Sequence, residues 1–166
     1  MSKPVVGIVM GSDSDLPLLE KTTATLKEFG IVYEISVLSA HRAPKKVAEY
    51  SGTAAARGLK VIIAAAGGAA HLAGAVAANT ALPVIGIPVN ATDLSGLDAL
   101  LATVQMPPGV PVATVAIGKF GAVNAAVLAA QILALGDSRL RERLSVHKRN
   151  MLKKVEEANA KLKGRR

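Results

Sequence analysis

The chain reads as an α/β protein, a five-stranded parallel sheet with helices on both faces, and two observations carry that expectation. Short runs rich in Val and Ile recur along the 166 residues, separated by amphipathic or Ala-rich stretches of helical length. The runs are close to continuously apolar rather than alternating, as parallel strands covered on both sides require. Right-handed crossovers leave few topologies for such a chain, and the flavodoxin-like order 2-1-3-4-5 suits five strands best.

In chain order, strands are expected at Val5–Met10, Val32–Leu38, Val61–Ala66, Val84–Val89 and Val112–Ile117. Helices are expected between them, at about 15–29, 44–57, 71–80, 95–104 and 121–135. The second of these opens on Pro44, whose fixed φ suits a first helical position. A last helix spans about 138–163, with loosely periodic apolar positions Leu140, Leu144, Val146, Met151, Val155, Ala158 and Leu162. That stripe is too polar for the sheet sandwich, so it is expected on the surface or against a neighbouring subunit. The small side chains of Ala122 to Ala134 are likewise suited to close helix packing at a subunit contact. No linker or repeat divides the chain, so residues 1–166 are expected to form one domain.

Composition narrows the function classes. Hydrophobic residues make up 51% of the chain but aromatics only 2%, so the core must be built from Ala, Val, Leu and Ile. The absence of Cys removes disulfides, thiolate metal sites and a Cys nucleophile from consideration. No signal is read at the amino terminus, and the most apolar late stretch, residues 121–135, is shorter than a bilayer span needs. A soluble cytoplasmic protein is expected. The net charge of +8 is concentrated at one end: residues 1–138 hold nine basic and nine acidic residues, and residues 139–166 hold eleven and three. A solvated basic helix accounts for this better than a nucleic-acid footprint, which would spread over a face with stacking aromatics.

In open parallel sheets ligands bind beyond the carboxyl ends of the strands, so the loops after each strand hold the candidates. The first is Gly11-Ser12-Asp13-Ser14-Asp15. Gly11 permits a tight turn, and Ser12, Ser14 or Asp15 can cap the next helix. The same hydroxyls and amides suit a phosphate, and the carboxylate suits ribose hydroxyls. The second is Ser39-Ala40-His41-Arg42-Ala43-Pro44. An imidazole can move protons near neutral pH, and a guanidinium can clamp an anion with a planar fork. A buried structural histidine and a surface ion pair are the alternatives, but both groups on one ligand-bearing loop favour function. The third is Gly67-Gly68-Ala69-Ala70-His71-Leu72, whose glycines allow close backbone approach and whose alanines leave an uncrowded apolar wall, although taken singly a tight turn with a structural His71 accounts for it better. After the fourth strand, Ser95 and Asp98 have capping-box spacing ahead of a helix. Lys119 follows the fifth strand and is read as solvated. The histidines at 41, 71 and 147 show no HExxH spacing, and there is no nucleophile elbow. Acid–base chemistry on a phosphorylated metabolite remains.

Taken together, MGSDSD, SAHRAP, AGGAAHL, PVIGIPV, LSGLDALLATVQMPPGVPVATVAIGK and NAAVLAAQIL resemble the PurE family of purine biosynthesis, over about residues 5–135. The similarity is greatest to the bacterial class, the N5-carboxyaminoimidazole ribonucleotide mutases. It implies a three-layer αβα sandwich, a homo-octamer with sites at subunit contacts, and rearrangement of that ribonucleotide to 4-carboxy-5-aminoimidazole ribonucleotide without a cofactor or metal. It assigns general acid/base work to His41 and phosphate recognition to Arg42. Ribonucleotide binding falls to Ser12 and Asp15, with Gly11, Ser14, Ser39 and Ala40 in the same matched strings. The carbon dioxide or carboxylate pocket falls to Gly67, Gly68, Ala69, Ala70, His71 and Leu72. Two positions depart from the family pattern: Ala73 stands where members usually have Pro, and Phe120 where many have Ala. The nearest rival is the PurE class that carboxylates aminoimidazole ribonucleotide directly; a rival of another kind is a non-catalytic flavodoxin-like nucleotide-binding module.

Overall fold

In the computed structural model, which describes residues 3–163, five parallel strands form one sheet in the order β2-β1-β3-β4-β5. These are β1 (Val6–Met10), β2 (Tyr33–Val37), β3 (Val61–Gly67), β4 (Val84–Val89) and β5 (Ala113–Thr114). The helices are α1 (Leu16–Glu28), α2 (Pro44–Arg57), α3 (Leu72–Ala77), α4 (Leu97–Val104), α5 (Gly118–Leu133) and α6 (Ser138–Lys163). The expected topology is therefore observed. Residues 164–166, the end of the basic terminal segment, lie outside the described residues.

Two apolar clusters, one per face, hold the layers together. Val6, Ile8 and Met10 of β1 point to one face with Ile63, Ile85 and Ile87, against Leu19 and Leu26 of α1 and the alanines of α5. Val9, Ile62 and Ala64 point to the other, against Val47 of α2 and Leu72 and Val76 of α3. Strand residues alternate between the two faces, so burying both demands the unbroken apolar runs seen in β1, β3 and β4.

The edges differ from expectation for the same reason. β2 is paired on one side only; Ile35 and Val37 remain 39% and 54% exposed, outboard of α1. β5 has only two ladder residues instead of the six expected. Val115 still donates to the Gly86 carbonyl (3.1 Å), and Ile117 then becomes the residue before α5, which starts three residues earlier than its apolar pattern indicates.

The alanines of α5 are also used differently from expectation. Ala122, Ala125, Ala126, Ala129 and Ala130 are all fully buried within the chain, against α1 and the sheet. Thr22 of α1 donates to the Ala122 carbonyl (2.8 Å), a bond that the absence of bulk between the helices permits. This small-residue face is a protomer core, and no part of it is left for a subunit contact.

Gly86 shows how tightly the far edge is filled. A Cβ there would run into Thr103, stand 2.9 Å from Val112 Cγ1 and 3.3 Å from Ala73 Cβ. Gly86→Ala is expected to cost about 1–3 kcal/mol, the usual penalty for overpacking, read as a lower urea midpoint with unchanged slope.

α6 is anchored only near its start. Leu140 is buried, and the His147 ring lies 5.4 Å from Phe29. Beyond that, Met151, Leu152, Val155 and Leu162 are each at least half exposed.

Candidate active site

The carboxyl ends of β1, β2 and β3 meet at the point where strand order reverses, the place where open α/β sheets carry ligands. A cleft of about 430 Å3 opens there, lined by the loops after β1, β2 and β3 and by Ala91 after β4.

The β1 loop is fixed by its own side chains. Ser12 caps a single 3-10 turn, Asp13–Asp15, accepting from the Ser14 amide (3.3 Å), while Asp15 Oδ2 accepts from the Ser12 amide (3.3 Å). Ser12 and Asp15 together thus cap the 3-10 turn, whereas α1, the helix for which a cap was expected, follows directly on Asp15 without a side-chain cap. Ser14 Oγ also donates to Ser12 Oγ (3.0 Å), which gathers two hydroxyls at the cleft wall. Burial raises the Asp15 carboxyl above its ordinary range; the Ser12 amide opposes this and the Asp13 charge adds to it. Because the folded pKa is the higher one, the contribution of Asp15 to stability is complete below about pH 4 and is lost as pH rises through the raised value. Asp15→Asn keeps an acceptor for Ser12 and removes the buried charge. It is expected to raise Tm at pH 7 and leave Tm near pH 3 unchanged.

The β2 loop supplies the cation. Arg42 Nε donates to Ser39 Oγ (3.2 Å) and an Nη2 hydrogen to the Gly11 carbonyl (2.8 Å). The Arg42 amide also donates to Ser39 Oγ (3.2 Å). Two of the five guanidinium donors are therefore committed to holding the plane, and three remain for an anion. No carboxylate of the described residues pairs with Arg42. Ser39 thus orients the fork, and Gly11 ties the β1 and β2 loops through it.

The β3 loop brings His71 to His41. His41 Nε2 and His71 Nδ1 are 2.7 Å apart, and the rings meet edge to face with centroids at 4.8 Å. One nitrogen of that pair must carry the hydrogen, so the tautomers of the two rings are linked. Consecutive tight turns place His71: Ala70 donates to the Gly68 carbonyl (2.8 Å) and His71 to that of Ala69 (2.6 Å). Gly68 enables them with φ +60°.

Of the predicted residues, Gly11, Ser12, Ser14, Asp15, Ser39, Ala40, His41, Arg42, Gly67, Ala69, His71 and Leu72 line the cleft. Gly68 and Ala70 do not; the first shapes the turn and the second is buried behind it. Ala66 and Ala91 line the cleft without having been foreseen. Ala91 is why position 67 is glycine, since a Cβ there would stand 2.6 Å from the Ala91 Cβ. Only a small residue placed straight after β4, opposite a glycine, could have signalled it.

Around the cleft, the capping expected of Ser95 is overturned. Gly96 precedes α4 with φ +84°, Ser95 itself sits at φ +53°, and Asp98 Oδ2 accepts instead from Thr92 Oγ1 (2.7 Å). Ala73 is buried behind the β3 loop, and Phe120 is 80% exposed, lining no part of the cleft. Among the described residues, no three His, Asp or Glu side chains cluster with metal-site spacing, and no helix is long and apolar enough to cross a membrane.

The family model for AIR carboxylase matches residues 5–154. The N5-carboxyaminoimidazole ribonucleotide mutase of Pyrococcus horikoshii is 52% identical over 160 residues, 96% of this chain and 89% of that protein. The phosphoribosylaminoimidazole carboxylase of Saccharomyces cerevisiae is 56% identical over 138 residues, 83% of this chain but 24% of that much longer protein. The crystal structure of Treponema denticola PurE superposes with a TM-score of 0.87 at 32% identity, covering 97% of this chain and 99% of that one. With the fold, the match over most of its length and these relatives in agreement, the chain belongs to the AIR carboxylase (PurE) family.

Proposed function

We propose that the chain is an N5-carboxyaminoimidazole ribonucleotide mutase of purine biosynthesis, moving a carboxyl group from the exocyclic nitrogen to carbon 4 of the imidazole ring. The observation that carries this is the convergence, in one cleft, of an anion fork with three free donors, a linked imidazole pair and a wall of glycine and alanine.

The reaction needs one proton delivered and one removed. The nitrogen–carboxyl bond breaks, releasing carbon dioxide, and the nitrogen takes a proton. Carbon 4 then adds carbon dioxide and surrenders its own proton, so atoms and charge balance without redox change. In this reading His41 gives the first proton and accepts the second, and its bond to His71 aims the reacting nitrogen. Arg42 grips the phosphate, with the Ser12 and Ser14 hydroxyls beside it and Asp15 toward the ribose. The small side chains of Ala66, Ala69 and Ala91, with Gly67, leave a small-walled recess where carbon dioxide stays next to carbon 4, replacing a bimolecular encounter.

A second reading is supported by the carboxylase from yeast, which is as similar over the matched segment as the mutases are. Purified protein given N5-carboxyaminoimidazole ribonucleotide without added bicarbonate should form the carbon-carboxylated product. Product formed only from aminoimidazole ribonucleotide and bicarbonate would establish direct carboxylation instead.

The assembly in this proposal is a cytoplasmic homo-octamer. His41, Arg42, Ala69, His71 and Ala91 are exposed in a single chain, so a neighbour is needed to close the cleft, and the bare apolar positions of α6 offer a surface for one. Light scattering behind a sizing column should give eight times the 17.0 kDa chain mass; a monomer at micromolar concentration would remove this part of the proposal.

A further inference from the structure

We propose that the pole of the sheet opposite the cleft holds a second ligand site, one that takes the polyphosphate group of a small phosphorylated molecule. A cavity of about 640 Å3 opens there, larger than the cleft itself. Its walls come from segments that lead into strands and into α6: the chain before β1, the turn between α1 and β2, the approach to β3 and the turn between α5 and α6.

Four cations line it: Lys3, Lys60, Arg139 and Arg143. The one acid in the lining, Asp137, is already engaged, its Oδ1 accepting from the amides of Arg139 (2.9 Å) and Leu140 (3.0 Å). Among the described residues the ion pairs are Arg57–Glu34, Arg149–Glu142 and Lys153–Glu157, so no carboxylate neutralises any of the four. Asp137 also occupies the first free amides of α6, so the attraction here comes from side-chain charge, not from a bare helix end.

One of these cations is built into the wall. The Arg143 guanidinium donates to the Phe29 carbonyl, and Gly30, at φ +65°, leaves the space it fills, since a Cβ there would occupy its place. Arg139 stands one helical turn before Arg143, on the same face. Lys60 and Lys3 come from other segments, so the charges are spread over separate walls of the cavity. A single orthophosphate satisfies one or two of them; a chain of phosphates can engage all. Four cations against one engaged carboxylate match the three to four negative charges of a pyrophosphate or nucleoside triphosphate. The apolar part of the lining, including Ile31 and Val32, leaves room for a further group beyond the phosphates.

Titration calorimetry and thermal melts on the full chain, at constant ionic strength, test this with pyrophosphate and with ATP as probes. Saturable binding of one probe per chain, retained in Arg42→Ala and weakened tenfold or more in Lys60→Ala/Arg139→Ala, is the expected result. Mass action should also raise Tm with probe concentration. ATP binding well above pyrophosphate would identify a nucleotide as the source, and equal binding the phosphate chain alone. Circular dichroism confirms folding of the double variant, and Arg139→Glu provides an independent charge reversal. Binding lost in Arg42→Ala would place the probe in the cleft and overturn the proposal, as would binding unchanged in the double variant or no saturable heat at all.

Discussion

His41→Asn is expected to lose between about 10²- and 10⁴-fold in kcat while its affinity for the ribonucleotide stays near that of the parent chain. The imidazole is exposed at the cleft and belongs to neither apolar cluster, so its removal leaves the core intact. Asparagine reaches only as far as the near half of the ring and falls short of His71 Nδ1, so His41→Gln, whose amide can take the place of Nε2, is the companion variant that keeps the loop contact. What asparagine cannot do is pass a proton back and forth, and the proposed rearrangement needs both directions. Calorimetric binding alongside steady-state turnover separates the effects. Near-parental turnover would remove His41 from proton transfer, and a large loss of affinity would make it a binding residue instead.

The sheet was legible in the sequence because its central strands are buried on both faces. Val6–Met10, Val61–Gly67 and Val84–Val89 have no polar face to interrupt their apolar runs. The edges were less legible: a run such as Val112–Ile117 carries the same composition, but with one neighbour and partial cover only two residues join the ladder. Composition records what a segment can bury, not how many partners it finds. The Ser95–Asp98 spacing misled for a related reason. Two left-handed residues, Ser95 and Gly96, turn the chain before α4, and a Cβ at Gly96 would come within 2.6 Å of Ile117, a contact across the fold that no local pattern announces.

The same division holds at the cleft. Arg42, His41 and Ser12 were legible because their loops follow strands and their chemistry is distinctive. The pairing of His41 with His71 was not, since the two lie thirty residues apart and meet only when β1 seats itself between β2 and β3. Ala66 and Ala91 contribute by being small, which leaves no chemical mark in a chain rich in alanine.

Arg42→Ala should raise KM for the ribonucleotide by about 10²-fold or more, since charge-assisted hydrogen bonds contribute about 1.5–3 kcal/mol each and the free face of the guanidinium can make two to one phosphate. The phosphate stays the same between bound substrate and transition state, so its grip is uniform and kcat should fall far less than kcat/KM. Arg42 also joins the Gly11 carbonyl to Ser39, so a loosened loop is the competing explanation. Arg42→Lys distinguishes them. A lysine keeps the charge but cannot hold the Gly11 carbonyl, Ser39 Oγ and a phosphate in one plane, so it should recover only part of the loss. Recovery of that part in affinity identifies an electrostatic hold on the phosphate. If Arg42→Ala leaves KM unchanged, the cation does not hold the phosphate; if kcat alone collapses in both variants, Arg42 acts in positioning the loops that carry Ser12 and His41.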